Sequence, residues 1–121
     1  MTEQAAAPWP RELRSKEQGR IFEIFLESGE QFSIAAELLR VESPSAEVKG
    51  HGPGQEQLVW GKRDVAISRI EAVGNYAVRL HFSDGHNTGI FTWSYLTKLG
   101  REQTSMMQAY EAKLQVAGLR R

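Results

Sequence analysis

The chain has 121 residues, of which 40% are hydrophobic and 25% are charged, as expected for one ordinary globular domain. Its fifteen basic and fifteen acidic side chains cancel, and it contains no cysteine. A net field that would attract nucleic acid or anionic lipid is therefore excluded, as are disulfides, thiolate metal sites and cysteine nucleophiles. No stretch approaches the ~20 apolar residues of a membrane span and no signal peptide is visible, so we expect a cytoplasmic protein without a membrane or nucleic-acid partner.

The N-terminal third predicts a tail followed by a hairpin. The prolines of residues 1–10 oppose regular structure, so this segment is expected to be a flexible tail. Leu13 lies in a short stretch that fits an edge strand. Alternating apolar residues on both sides of Ser28-Gly29 predict a first β-hairpin over residues 20–34.

The middle of the chain predicts a short helix, a long loop and two further strands. Residues 35–41 favour a helix, and Pro44 helps to end it. Residues 42–57 contain three glycines and two prolines and are predicted to be mostly loop. Strand character returns at residues 58–60 and 65–70.

The second hairpin, which turns at Asp84-Gly85, carries the clearest signal of the chain. Apolar and polar residues alternate up to Ser83, and the Asp-Gly pair suits a two-residue turn. In that register Ser83 pairs with His86 and His81 with Thr88, and all four side chains project from the polar face. Asp84 is interpreted as a turn former rather than as a general base.

The C-terminal quarter predicts two helices. Thr92 caps a short first helix that Gly100 ends, and apolar residues at steps of three or four predict a second helix over residues 104–117, ending at Gly118. The sum is an α+β domain with a small, mostly antiparallel sheet built from hairpins, a short helix after the first hairpin, and C-terminal helices.

The three histidines, His51, His81 and His86, are the first candidates for chemistry. No ligand-spaced pair lies on one helix, so a metal site has little support. The simpler interpretation has His86 hydrogen-bonded to the loop at residues 43–51 and His81 facing solvent. No Gly-x-Ser-x-Gly elbow and no phosphate-binding loop is present. Four aromatic residues form either a partner surface or, more simply, part of the core: Trp60, Tyr76, Trp93 and Tyr95.

Five short motifs follow one another along the chain: Leu39-Arg40, Ser43-Pro44-Ser45-Ala46-Glu47, Gly74-Asn75-Tyr76, Asp84-Gly85-His86 and Trp93-x-x-Leu96. This set resembles the gamma-butyrobetaine-hydroxylase-like N-terminal domain, a module of largely unknown function in its free-standing bacterial form. The resemblance covers the predicted domain, residues 11–100, on which residues 101–121 pack as a C-terminal helix. It also implies relatives in which the module precedes iron- and 2-oxoglutarate-dependent dioxygenases or is joined to P-loop ATPases of the iron–sulfur carrier type.

The resemblance further implies a position for a structural zinc, which the dioxygenases hold through a Cys-x-Cys-x-x-Cys cluster and one later histidine. By position, the cysteines fall on Ser43, Ser45 and Val48, and the histidine falls on His86. Serine hydroxyls stay protonated near neutral pH and valine has no donor atom, so we expect no metal and no cofactor.

The resemblance and the lack of a catalytic set favour a non-enzymatic protein-interaction module, serving iron–sulfur cluster carriers or 2-oxoglutarate oxygenase systems. The alternative is a small ligand-binding protein or enzyme with a pocket around His86. A hydrogen bond from His86 to the loop near Ser43 is predicted to replace the lost metal. The expected contact surface lies where the loop at 40–51 meets the turn at 84–88: Arg40, Ser43, Ser45, His51, Asp84 and His86.

Overall fold

The computed structural model describes residues 8–50 and 57–121 and shows two three-stranded antiparallel sheets with helices. The predicted α+β class is confirmed, although the strands form two sheets where one was expected. The strands and helices, in chain order, are β1 (Pro10–Lys16), β2 (Ile21–Leu26), β3 (Gln31–Ala35), α1 (Ala36–Val41), α2 (Ala46–Lys49), β4 (Ile67–Val73), β5 (Ala77–Phe82), β6 (Ile90–Thr92) and α3 (Trp93–Ala117).

The first sheet has the order β1-β2-β3 and confirms both the predicted hairpin and the edge strand at Leu13. Its strand β1 begins at Pro10, the last residue of the predicted tail, while residues 1–7 lie outside the described part of the chain. The turn before β2 approaches the second sheet closely. A Cβ atom at Gly19 would lie 2.2 Å from the carbonyl oxygen of Ile67, so only glycine fits there.

The second sheet has the order β4-β5-β6, and the strand predicted at residues 58–60 is absent from it. The backbone of this segment bonds elsewhere: the Tyr110 hydroxyl donates to the Val59 carbonyl at 2.8 Å, and the Gly61 N–H donates to the Arg120 carbonyl at 3.0 Å. The segment therefore lies along α3 and its C-terminal extension instead of pairing with a strand. The predicted loop before it contains α2, which its proline and glycine content had obscured.

The turn between β5 and β6 has three residues, so the prediction of a two-residue turn was wrong. The Gly85 N–H donates to the Phe82 carbonyl and the Phe82 N–H to the His86 carbonyl, each at 2.9 Å. Gly85 has a φ of 93°, while Asp84 keeps a negative φ. This is the geometry of a type I turn closed by a glycine bulge. His86 consequently faces Phe82 and lies on the core side, not beside Ser83 on the polar face.

The C-terminal region is one helix, α3, and not two helices separated by Gly100. The predicted caps are confirmed: the Thr92 hydroxyl accepts a bond from the first turn, and Gly118 is left-handed with φ 72°. Gly100 does not terminate the helix. It allows Phe32 to pack closely against α3, because a Cβ atom at position 100 would lie 2.5 Å from Cγ of Phe32. Among the residues described, no helix is long and apolar enough to cross a membrane.

The main hydrophobic core lies where the two sheets meet and where α3 covers β3. Both sheets and the first two turns of α3 contribute to it, so the β5–β6 turn and the α1–α2 segment are attached to a common rigid body. Its fully buried members include Phe22, Ile24, Ile34, Leu80, Phe91, Leu96 and Leu99.

Candidate functional site

Two serines and a glutamate of the α1–α2 segment surround the ring of His86. Its Nε2 atom lies 2.9 Å from Oγ of Ser43 and 3.4 Å from Oγ of Ser45, and its Nδ1 atom lies 3.2 Å from Oε1 of Glu47. Ser43 is fully buried and His86 is 9% exposed. The predicted hydrogen bond between this histidine and the loop is confirmed. We call these four residues, Ser43, Ser45, Glu47 and His86, the histidine clasp.

The histidine clasp depends on the three-residue turn and on one glycine. The bulge directs His86 toward Phe82, whose ring centroid is 6.1 Å from that of the imidazole. Gly89 leaves room for the Ser43 hydroxyl, because a Cβ atom at Gly89 would lie 2.2 Å from it. Glu47 is oriented by the Thr88 hydroxyl, which donates to its Oε1 atom at 2.8 Å.

The partners of His86 assign its tautomer. A carboxylate can only accept, so Nδ1–H donates to Glu47 and Nε2 is left to accept the Ser43 hydroxyl proton. Burial lowers the pKa of His86, the nearby charge of Arg40 lowers it further, and the charge of Glu47 opposes both. The ring is therefore neutral near pH 7, which is the form that satisfies both neighbours.

The hydroxyl–imidazole–carboxylate sequence of the clasp has the connectivity of a nucleophile, a general base and an orienting acid. Its burial argues against that chemistry. Ser43 has no exposed surface, and neither Ser43 nor His86 lines any of five cavities of about 170 to 600 Å³ in the described residues. A substrate carbonyl has no route to the hydroxyl in this conformation, so the arrangement acts as a structural hydrogen-bonded unit.

Asp84, two residues before His86, has charged partners. Its Oδ2 atom accepts from Nε of Arg40 at 2.8 Å and from Nζ of Lys62 at 2.6 Å, and its Oδ1 atom accepts from the backbone N–H of His86 at 3.1 Å. Burial acts to raise the pKa of Asp84, but the bonds from Lys62, His86 and Arg40 outweigh it and lower the pKa to about 2. Asp84 thus bonds the backbone of its own turn, as predicted for a turn former, and in addition holds two cationic side chains. We call Arg40, Lys62 and Asp84 the aspartate clamp.

The structure divides the six residues predicted for a contact surface. Arg40 and Asp84 belong to the aspartate clamp, whereas Ser43, Ser45 and His86 are buried in the histidine clasp and His51 lies outside the described residues. Burial prevents those three side chains from touching a partner in this conformation, and a binding role for the set stays a prediction. Lys62 was missed, because nothing in the local sequence relates it to a turn 22 residues away.

His81 does not join His86. Its Nε2 atom lies 2.8 Å from Oε1 of Glu71 on the neighbouring strand β4, on the other face of β5. Within residues 8–50 and 57–121, no group of three or more histidine, aspartate or glutamate side chains is arranged to hold a metal ion.

A separate surface surrounds Trp9, which is 46% exposed although its carbonyl is tied to Glu27 by a backbone hydrogen bond of 2.9 Å. Tyr76 nearby is 53% exposed. Two adjoining cavities of about 600 and 220 Å³ share Pro8, Trp9 and Ser94. We call them together the Trp9 groove; its lining is Pro8, Trp9, Leu26, Glu27, Ser28, Glu30, Tyr76, Thr92, Trp93, Ser94, Thr97, Lys98, Arg101 and Glu102.

The aromatic residues named from the sequence divide between surface and core. Trp60 and Tyr76 are about half exposed, while Trp93 and Tyr95 are partly buried and pack against the main core. The Trp93 indole donates to the Asn75 carbonyl at 2.9 Å, which fixes one wall of the Trp9 groove. Of the two interpretations offered for these aromatic residues, the surface one therefore holds for Trp60 and Tyr76 and the core one for Trp93 and Tyr95.

The sequence model described as gamma-butyrobetaine hydroxylase-like, N-terminal, matches residues 13–97. The chain belongs to this family. It is 45% identical to a protein with an NMR solution structure, with a TM-score of 0.83 and coverage of 100% of this chain and 90% of that one. A second NMR structure is 35% identical, with a TM-score of 0.82 and coverage of 96% and 91%.

A crystal structure of a protein of unknown function from Acidithiobacillus ferrooxidans ATCC 23270, described as belonging to the DUF971 family, is also similar. It is 44% identical, with a TM-score of 0.63 and coverage of 75% of this chain and 91% of that one. No curated protein matches this chain. The structural relatives therefore establish the family and the fold and name no activity.

Within this gamma-butyrobetaine-hydroxylase-like domain, three of the four positions related to zinc ligands are joined by hydrogen bonds. Ser43 and Ser45 both lie within 3.4 Å of His86, whereas Val48 is buried and brings no donor atom. Two neutral hydroxyls, one imidazole and a hydrocarbon do not fit zinc, which prefers thiolate, imidazole or carboxylate ligands. The histidine clasp connects the α1–α2 segment to the β5–β6 turn by hydrogen bonds alone.

Proposed function

We propose that this protein is a non-enzymatic protein-interaction module of the cytoplasm and that the Trp9 groove is its contact surface. The observation that carries the proposal is the exposure of Trp9 and Tyr76, at 46% and 53%, beside two adjoining cavities. Tryptophan and tyrosine are enriched among the residues that dominate binding energy at protein interfaces, because each buries a large apolar area with little loss of side-chain freedom.

The polar groups of the molecule support a binding role more than a chemical one. Both ring nitrogens of His86 and both carboxylate oxygens of Asp84 already bond neighbouring groups of the protein. The Trp9 groove, in contrast, combines exposed aromatic surface with a charged rim. On that rim Arg101 is paired with Glu30 at 2.7 Å, while Glu27 and Glu102 outnumber Lys98. A partner with an apolar residue flanked by a basic one would complement it.

The partners proposed are iron–sulfur cluster carriers or 2-oxoglutarate oxygenase systems. Support comes from the family resemblance, which implies relatives joined to carrier ATPases and relatives that precede dioxygenases.

The alternative function is a small ligand-binding protein or enzyme with a pocket around His86. It would need the histidine clasp to open, because Ser43 and His86 are buried. A saturable small-molecule effect on the His86 ring resonances would favour this alternative.

The test measures binding of the purified chain to a P-loop iron–sulfur carrier and to a 2-oxoglutarate oxygenase from the same organism, by titration calorimetry. Trp9→Ser is expected to weaken the productive pair by about tenfold or more, as hot-spot aromatic residues do. Trp60→Ser is the matched control, since Trp60 is 52% exposed and does not line the groove. Equal losses for the two variants, or no binding to either protein, would refute the proposal.

A further inference from the structure

Three arginine residues line one cavity at the C-terminal end of α3. The cavity has a volume of about 420 Å³ and is separate from the Trp9 groove, with which it shares no residue. Its charged lining consists of three arginines against one glutamate, on a chain with no net charge. We call it the arginine cavity; its lining is Arg63, Glu111, Leu114, Gln115, Leu119, Arg120 and Arg121.

The helix cap of α3 directs two of these arginines. Gly118 is left-handed, and the Leu119 N–H donates back to the Leu114 carbonyl at 2.9 Å, so the chain reverses over the last turn. The Arg120 carbonyl then accepts from Gly61, which ties the segment that carries Arg63 to the end of the helix. The three arginines therefore come together through backbone hydrogen bonds and not by chance exposure.

One of the three guanidinium groups is held by carboxylates. Arg121 donates to Glu37 through Nη2 at 2.6 Å and through Nε at 3.0 Å, and its Nη1 atom lies 3.6 Å from Glu111. Glu37 is only 3% exposed, so this pair is fixed, and it holds the Arg121 side chain between the arginine cavity and a neighbouring cavity of about 410 Å³.

The other two guanidinium groups are open. Arg63 and Arg120 are exposed, and in the described ranges their side chains show no carboxylate within ion-pair distance. Guanidinium groups present planar pairs of N–H donors that match the two oxygens of a carboxylate or of a phosphate. The apolar side chains of Leu114 and Leu119 line the same space and suit an aliphatic portion of a ligand.

We propose that the arginine cavity binds a small organic oxyanion with an aliphatic portion, held by Arg63 and Arg120 and oriented by the fixed Arg121. The shared chemistry is that of a carboxylate or a phosphate group. The volume falls within the ~300–1,000 Å³ of small-molecule sites, which favours a metabolite-sized anion over a polymer. This inference does not depend on the Trp9 groove.

The test is a titration of the ¹⁵N-labelled full chain, followed by amide chemical shifts, with glutarate in one series and inorganic phosphate in another. Glutaramide, which has the shape of glutarate without its charge, is the ligand control. Saturable shifts confined to residues 61–64 and 114–121 are expected with at least one anion. Saturation with glutarate alone assigns a carboxylate ligand, and saturation with phosphate assigns a phosphate ligand.

Variants decide whether the arginines cause the binding. Arg63→Gln should weaken the saturating anion by about tenfold, as expected for loss of a charge-assisted bidentate contact. Arg120→Gln should weaken binding in the same way. Arg69→Gln is the matched control, because Arg69 is exposed on β4 and lines neither the arginine cavity nor the Trp9 groove. The proposal is overturned if neither anion gives saturable shifts, if glutaramide shifts the same amides, or if Arg69→Gln weakens binding as much as Arg63→Gln.

Discussion

The two sides of the β5–β6 turn attach the same hairpin to the same α1–α2 segment by different physical means. On one side the histidine clasp joins His86 to the buried Ser43 by a neutral hydrogen bond and to the largely exposed carboxylate of Glu47 by a second bond. On the other side the aspartate clamp joins Asp84 to Arg40 and Lys62 at the surface, where the aspartate and arginine side chains are 21% and 12% exposed. Two residues of chain separate a neutral contact from a charged one.

The comparison shows how one turn divides its tasks. A neutral hydrogen bond contributes about 0.5–1.5 kcal/mol and one to a charged group about 1.5–3 kcal/mol, so the charged side should dominate stability. The histidine clasp instead determines the local order of the α1–α2 segment, because His86 contacts Ser43 just before α2 and Glu47 within α2.

The largest effect is expected from Asp84→Ala. Removal of the carboxylate leaves the mostly buried Arg40 and the ammonium of Lys62 without their anion, at a cost of about 2–3 kcal/mol. Urea denaturation at pH 7 measures the change. Asp64→Ala is the matched control, because its carboxylate is 85% exposed in its pair with Arg20 and should cost little. Equal midpoints for the two variants would show that the clamp does not stabilise the fold.

A smaller loss is expected from His86→Ala. Its neutral bond to Ser43 contributes about 0.5–1.5 kcal/mol, and its bond to Glu47 adds little because that carboxylate is 64% exposed. Loss of both should speed amide exchange over residues 43–50. His81→Ala is the control, because that ring bonds Glu71 and touches neither serine. Wild-type exchange rates over residues 43–50 in His86→Ala would show that the clasp is not a restraint.

The two sides should also separate by pH. The pKa of His86 in the folded protein is lowered from 6.5, so as the pH falls the unfolded chain is protonated at this histidine before the folded protein is. The contribution of the neutral ring to stability is therefore fully present above pH 6.5 and decreases below it. The pKa of Asp84 is lowered from 3.8 to about 2, so its contribution is full above pH 3.8 and is lost as the pH falls toward 2.

Unfolding free energies measured from pH 2 to 8 test this separation. His86→Gln should remove the decline that begins near pH 6.5 and leave the acidic decline in place, while Asp84→Asn should do the reverse. If one variant flattened both declines, the clasp and the clamp would be a single coupled unit.

The smallest expected effect is that of a metal chelator, which should leave the melting temperature unchanged. The clasp positions supply hydroxyls and a hydrocarbon where zinc needs thiolates, so elemental analysis of untagged protein should give well below one equivalent. Stoichiometric zinc that disappears in His86→Ala would contradict the hydrogen-bonded description of the clasp.

Local patterns were sufficient for much of the fold. Alternation along β2, β3 and β5 predicted strands, and the caps at Thr92 and Gly118 were placed correctly, because each of these signals lies within a few neighbouring residues. The ordered motifs likewise indicated the family, and the position related to a zinc ligand led to the correct prediction that His86 bonds the loop.

The errors arose where distant residues decide the outcome. Gly100 does not end a helix; it leaves room for the side chain of Phe32, 68 positions earlier in the chain. One extra residue in the β5–β6 turn moved His86 from the polar face to the core, since side chains alternate with a period of two. Lys62 joined Asp84 only because residues 57–61 pack on α3. The sequence by itself determined most of the strands, both ends of the C-terminal helix and which turn carries the polar residues; tertiary packing decided which side chains meet, because those contacts are made between residues far apart in the chain.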